Sequence, residues 1–363
     1  MPQGRGPLAF AAHPGACAGV TWLGHPNHAD AMNTWLRTWE QACSRAPALR
    51  LLDVHLRGIG QVMFQNHPLS GLLFLAALVW GAAAAGAWPV LFGGLLGLVA
   101  GTLTAYGLRA ERTNLAAGLY GYNALLVGLA LPTFLEPSPL LWFYVVLGGA
   151  VSVVCTLGTA QVAGSFRVAA LTFPFVLVTW LLLLATYGFA GLQGTALPYA
   201  SQVVPVDPAA TNLLDPAAFV GGVLQSISQV FLKGDAISAL LLLAGLAVGS
   251  FAAAAWGLAG ALLAVITAHA LGAESELVSA GLFGFSPVLT AIALGAVFHA
   301  ADAPRLRVIG YAVLGTVFTV VAQGALNVLL TPFGIPTLTA PFVLVTWLFL
   351  LPRAPAAAGD YGG

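Results

Sequence analysis

The chain has 363 residues, of which 59% are hydrophobic and only 7% charged, with 12 basic residues balancing 12 acidic ones. Soluble domains carry about a quarter charged residues, so this composition excludes an ordinary soluble enzyme or binding module. The neutral balance also argues against nucleic acid or an acidic surface as a partner.

Residues 1–48 are polar and contain Pro, His and Ala, with no basic stretch leading into an apolar one. They read as a soluble tail rather than a signal peptide. Arg37, Arg45, Arg50 and Arg57 precede the first long span and favour a cytoplasmic N-terminus, and Arg353 favours a cytoplasmic C-terminus. From there, charge-free stretches run from Pro68 to Leu108, Pro137 to Phe166, Val168 to Val206, Ala236 to Ala273 and Val308 to Pro352. Each accommodates one or two helices of about 20 residues, and with the shorter stretches the chain holds about ten to twelve segments at membrane depth. Cys17, Cys43 and Cys155 have neither metal-ligand nor disulfide-framework spacing, and no metal or cofactor is expected.

The chain is a tandem duplication. Phe175 to Leu181 recurs letter for letter as Phe342 to Leu348, each copy following a Thr-x-Pro, Thr172-Phe173-Pro174 and Thr339-Ala340-Pro341. Leu56-Arg57-Gly58-Ile59-Gly60-Gln61-Val62 matches Leu224 to Val230, which ends in Gln229-Val230, and Gly118 to Asn123 matches Gly281 to Ser286. The boundaries that follow are a first repeat over 49–192, a Pro-, Gly-, Asp- and Thr-rich linker over 193–216, a second repeat over 217–352 and a short tail over 353–363. Each half reads as a helix ending near its glutamine, two long spans, a Gly-rich segment too short to cross, a further span and the Thr-x-Pro segment. The Gly-rich pieces, Ala116 to Leu131 and Ala280 to Leu294, are read as re-entrant half-helices, which survive only beside protein or a water-filled cavity. The fold class expected is therefore an all-α polytopic membrane protein of two repeats, about five transmembrane helices plus one half-helix each. An odd number of spans per repeat inverts the second half, and in such folds the solute site lies at the pseudo-twofold axis.

Gln61 and Gln229 are candidates for that site, because an amide buried in hydrocarbon is costly unless something uses it. A single such glutamine serves equally well to cap a helix end or to join two helices. Its recurrence in both halves favours the pore. Thr172 and Thr339 carry a stronger bland reading, since threonine before proline is a common way to begin a helix. Capping and solute contact are compatible there. Aromatic residues such as Phe64, Tyr122, Phe173, Phe283 and Phe285 are individually weak signals; Phe64 and Phe173 stand where they would wall a flat slot.

At these motifs the chain resembles the urea transporter family, channel-like urea permeases, over roughly residues 49 to 352. The matching segments are Leu56 to Val62, Gly118 to Asn123, Ala170 to Phe175 and Ile335 to Phe342. The chain departs from the family pattern at Ala169, where the signature has proline, at Ser286, where asparagine is frequent, and at Leu232, which matches Phe64. The resemblance implies a homotrimer in the cell membrane with one passive urea pore per protomer. It further implies that Gln61, Thr172, Gln229 and Thr339 contact urea, and that Val62, Phe64, Leu103, Phe173, Val230, Leu232, Ile266 and Ala340 line the pore.

The chemistry is consistent with that. Urea is flat, uncharged and rich in N–H donors, so it needs acceptor oxygens along its edge and apolar walls over its faces. A narrow apolar slot excludes ions, which cannot shed their water there. A channel for another small neutral or ammonium-like solute is the alternative. Paired pore histidines are lacking, as His269 and His299 lie in one half only; Asn-Pro-Ala boxes and His-Glu-x-x-His are absent; and Asp235, Glu274, Glu276 and Asp302 read as loop residues.

Overall fold

A computed structural model describes residues 26–191, 194, 196–212, 215–299 and 303–353. The tails before 26 and after 353, Cys17, the linker start at Gln193 and Asp302 lie outside the described residues. Helix α1 (Pro26–Arg45) precedes the first half, α2 (Pro47–Gln61), α3 (Pro68–Ala85), α4 (Trp88–Gly107), α5 (Arg112–Ala116), α6 (Tyr122–Phe134), α7 (Pro139–Ser165) and α8 (Phe173–Gly188). The second half repeats the order with α9 (Pro216–Ser228), α10 (Ala236–Gly249), α11 (Phe251–Ala270), α12 (Ser275–Ser279), α13 (Phe285–Ile292), α14 (Arg305–Leu330) and α15 (Ala340–Leu350). No strand is present among the described residues, and the protein is an all-α polytopic membrane protein.

Local sequence explains the helix starts. Proline stands in the first turn of α2, α3, α4, α7, α8, α9 and α15, where its missing N–H costs nothing. Ser138, Asp215, Asp235 and Ser250 accept from amides in the first turns of α7, α9, α10 and α11.

Five helices are long and apolar enough to cross a bilayer: Pro68–Ala85, Trp88–Gly107, Pro139–Ser165, Phe251–Ala270 and Arg305–Phe333. A sixth span is available if α9 and α10, bent by 70° at their junction, act as one. These are fewer full-length spans than the sequence suggested. The remaining depth is taken by short helices, α6, α8, α13 with its π-helical extension Ala293–Val297, and α15, each beginning at a buried break. The stretch read as a soluble tail also holds more structure than expected. Helix α1 lies on α2, where Trp39 donates to Asp53 at 2.7 Å and Trp35 stacks on Trp39 and His67.

The halves are held together chiefly by α3 against α10. Ser238 of α10 donates to Ala77 O of α3 at 3.0 Å, and Phe74 of α3 meets Phe231 edge-on at 5.6 Å. Within each half, a glycine after the short helix lets two backbones touch. Gly118 and Gly281 both have φ of 73°, and a Cβ on either would overlap backbone of α2 at Gly58 or of α9 at Gln225 and Ser226. Gly118→Val and Gly281→Val should each destabilise the fold by about 1–3 kcal/mol. Thermal unfolding in detergent should show lower midpoints for both, while Gly107→Ala, with nothing within 4 Å, should unfold like the parent.

Candidate functional site

The site is built from four chain reversals that match in pairs. Helix α2 ends at Gln61, and Phe64, with φ of 63°, turns the chain so that Gln65 N–H donates back to Gly60 O at 3.0 Å. Helix α9 ends the same way: Leu232 has φ of 57° and Lys233 N–H donates to Ser228 O at 3.2 Å. The second pair precedes α8 and α15, where Leu171 and Leu338 have φ of 52° and 51°. A left-handed leucine or phenylalanine costs about 1–2 kcal/mol, so these four residues store strain at the places the repeat singles out.

Each reversal is stitched by the residues that the repeat conserves. Gln61 Nε2 donates to Ala117 O at 2.9 Å, and Gln229 Nε2 donates to Ala280 O at 3.2 Å. Those carbonyls lie where α5 and α12 stop, so each amide satisfies an orphaned helix end. The donor side of each glutamine is thereby engaged, which leaves its Oε1 as an acceptor.

Thr172 and Thr339 meet. Their hydroxyls share a hydrogen bond of 2.7 Å across 167 residues of sequence, and the residues are only 3% and 4% exposed. Neither side chain caps its own helix, so capping is not what these hydroxyls do. The flanking contacts are exchanged between halves: Trp180 Nε1 donates to Pro336 O and Trp347 Nε1 donates to Ala169 O, both at 2.8 Å. Trp180 matches Trp347, and Pro336 matches Ala169, so each half completes the other's break. Ala169 therefore serves the break without the signature proline.

The walls are apolar. Phe173 is half-buried with its ring centroid 5.3 Å from that of Trp347. Phe64 stands edge-on to Phe298 at 5.7 Å and to Phe342, three residues past Thr339, at 6.1 Å. Val62, Val230 and Ala340 are buried in the shared core, and Leu232 is half-buried beside Gln229. Leu103 and Ile266 do not belong to this constellation. Leu103 is 60% exposed on a stripe of α4 with Phe92 and Val99, and Ile266 is 47% exposed on a stripe of α11 with Leu258 and Leu262. Both stripes lie opposite the glycine-rich faces that pack against α6 and α13, which corrects the expectation that these two residues form the constriction.

Two further residues hold the site that motif spacing did not assign to it, and a third lies beside it. Tyr122 OH donates to Leu171 O at 2.6 Å, and Asn123 bridges Leu171 O, at 3.4 Å, to the Phe175 N–H, at 3.3 Å. In the second half Phe285 and Ser286 replace this pair, and the buried Ser286 Oγ has no partner. The third is Lys233, 5% exposed directly after Leu232. Its match to Gln65 across the repeat was the available signal.

An uncharged set of amide, hydroxyl and carbonyl oxygens between apolar walls, on helices broken inside a membrane protein, defines a transport protein for small polar solutes and not an enzyme. The chain belongs to the urea transporter family: that family's model matches residues 52–354. It is 30% identical over 324 residues to the sheep (Ovis aries) and goat (Capra hircus) proteins called urea transporter 1, covering 87% of this chain and 79% of each relative. The rat (Rattus norvegicus) urea transporter 1 is 30% identical over 309 residues, 84% of this chain and 77% of the relative. The resemblance read from the motifs thus holds.

The exchanged tryptophan bonds should stabilise the join between halves. Trp180→Phe and Trp347→Phe each leave a buried carbonyl unpaired, at a cost of about 1–3 kcal/mol. Thermal unfolding should register both losses; a parental midpoint for either would show that its bond carries no weight.

Proposed function

We propose that this chain conducts urea passively through a pore at the interface of two oppositely oriented halves, one pore per protomer of a homotrimer in the cell membrane, with both termini cytoplasmic. The observation that carries this is the meeting of Thr172 and Thr339 at 2.7 Å, where two equivalent half-helices converge. Exchange of equivalent contacts is what a twofold axis generates, and in inverted-repeat transporters the solute site lies on such an axis. The trimer, the cell membrane and the orientation of the termini rest on family resemblance and on the arginine distribution.

Urea entering from either side meets one glutamine, then the threonine pair, then the other glutamine. Gln61 and Gln229 Oε1 accept from urea N–H groups while Phe64, Phe173 and Leu232 cover its faces. At the centre the two hydroxyls exchange their mutual bond for bonds to the solute, so the count of hydrogen bonds is kept as urea passes. The first turns of α8 and α15 offer partial positive charge to urea's carbonyl. All of these groups are uncharged, so a proton or sodium gradient has nothing to act on. Short amides and ammonia remain the competing solutes, and the same flux assay compares them.

Proteoliposomes holding the purified protein should equilibrate urea without accumulating it, and ionophores for protons or sodium should leave the rate unchanged. Uphill accumulation would overturn the passive reading. Thr172→Val and Thr339→Val keep the shape but remove a hydroxyl, leaving a group unpaired in a dry slot at a cost of about 1–3 kcal/mol. Each should slow urea flux by about tenfold or more if that step limits. Folded oligomers of both variants conducting at the parent rate would remove the threonines from the pathway.

A further inference from the structure

The turn that carries Leu232 opens on a cleft that has no counterpart in chemistry on the Phe64 side. A cavity of about 450 Å³ lies between the end of α3 at Gly81 and Ala85, the end of α6 at Pro132 and Thr133, and the turn from Leu232 to Asp235. It borders the candidate site, because Gln229 Nε2 lies 3.5 Å from where a Cβ on Gly234 would be. Lys233 lines it. Its stem lies flat on α3, so that a Cβ on Gly81 would come within 2.7 Å of Lys233 Cδ. The matching residue in the first half, Gln65, packs against Gly249 of α10 in the same manner but is neutral.

Two charged residues line this cleft, Lys233 and Asp235, and they are held differently. Asp235 is present, but its Oδ1 accepts from Ser238 N–H at 2.8 Å and caps α10, whose amide dipoles offset the carboxylate. The ion pairs within 4 Å among the described residues both belong to Arg57, so the Lys233 ammonium has no carboxylate in contact. A nearly buried cation with no carboxylate in direct contact thus stands beside Leu232, in a cleft that borders Gln229.

The pore itself has a selectivity problem that this cation answers. An apolar slot turns away strongly hydrated ions, but its acceptor oxygens recognise flat molecules rich in N–H donors, and guanidinium has that shape and those donors with a weakly hydrated charge. Amide and hydroxyl oxygens bind such a cation at least as well as they bind urea. We propose that Lys233 is a specificity-determining residue that rejects guanidinium-like and ammonium-like cations at the Leu232 mouth while leaving the neutral solute unaffected. This rests on the urea-conducting reading above. A fixed charge acts on a permeant ion through the low-dielectric walls of a cleft, whereas on a neutral solute it acts only through the dipole, an interaction that is weaker and falls off faster with distance.

The test uses purified full-length protein in proteoliposomes, with urea and guanidinium as separate permeants. Lys233→Gln places the residue of the twin position on a similar stem; Lys233→Arg retains the charge. Urea flux should stay within about twofold of the parent in both, whereas the guanidinium-to-urea ratio should rise about tenfold in Lys233→Gln and not in Lys233→Arg. Lys233→Met, which also removes the charge but keeps an apolar stem on α3, should raise the ratio to a similar extent. Two neutral variants of different polarity decide the matter even if one of them fails to fold. An unchanged ratio in folded Lys233→Gln or Lys233→Met would overturn the proposal. A parent that does not conduct urea at all would instead sink the underlying functional reading.

Discussion

A helix that stops inside an apolar protein leaves amides and carbonyls with no water to bind, and each must find a partner or destabilise the fold. This chain ends α2 and α9 and begins α8 and α15 in its interior, and their orphaned groups organise what packs around them. The partners come largely from elsewhere in the sequence. Gln61 and Gln229 reach the carbonyls where α5 and α12 end, and Trp180 and Trp347 reach across to the other half. Strain at Phe64, Leu171, Leu232 and Leu338 persists because these bonds and the packed core over-determine it. The Thr172–Thr339 bond is the point where the two sets of breaks close on each other.

Duplication supplies the frame, and divergence within it has a visible physical record. In the first half Tyr122 and Asn123 hold the Leu171 carbonyl. The second half loses both donors to Phe285 and Ser286 and recruits α14 instead, where Gln323 Nε2 donates to Thr337 Oγ1 at 2.6 Å and to Asn327 at 3.0 Å. Thr156, the match of Gln323, instead accepts weakly from Asn123 at 3.4 Å. The two turns differ as well: Phe64 packs on Phe298, whereas Leu232 is followed by a nearly buried lysine. A pore assembled from equivalent halves can therefore keep one central geometry while its entrances take on different chemistry.

Membrane class, duplication and the positions of the helix breaks were legible because they are written in letters: absent charge, repeated heptapeptides, proline after threonine. Gln61, Gln229, Thr172 and Thr339 were legible because polar residues repeat where apolar ones are expected. Leu103 and Ile266 were placed wrongly because α4 and α11 are apolar all round, and no contrast between faces marks which side meets the protein. Lys233 escaped notice because a charge beside Gly and Asp reads as a loop, and only packing on Gly81 reveals its burial. The docking of α1 through Trp39 and Asp53 is a long-range contact that local pattern does not encode.

The central claim is that solute passes between Thr172 and Thr339, and their proximity offers a direct test. In a background with Cys17, Cys43 and Cys155 replaced, Thr172→Cys and Thr339→Cys together place two thiols where the hydroxyls now touch. Oxidation should join them, confirmed by mass spectrometry, and urea flux through proteoliposomes should fall to the protein-free background and return on reduction. A fully formed bridge with undiminished urea flux would contradict the account.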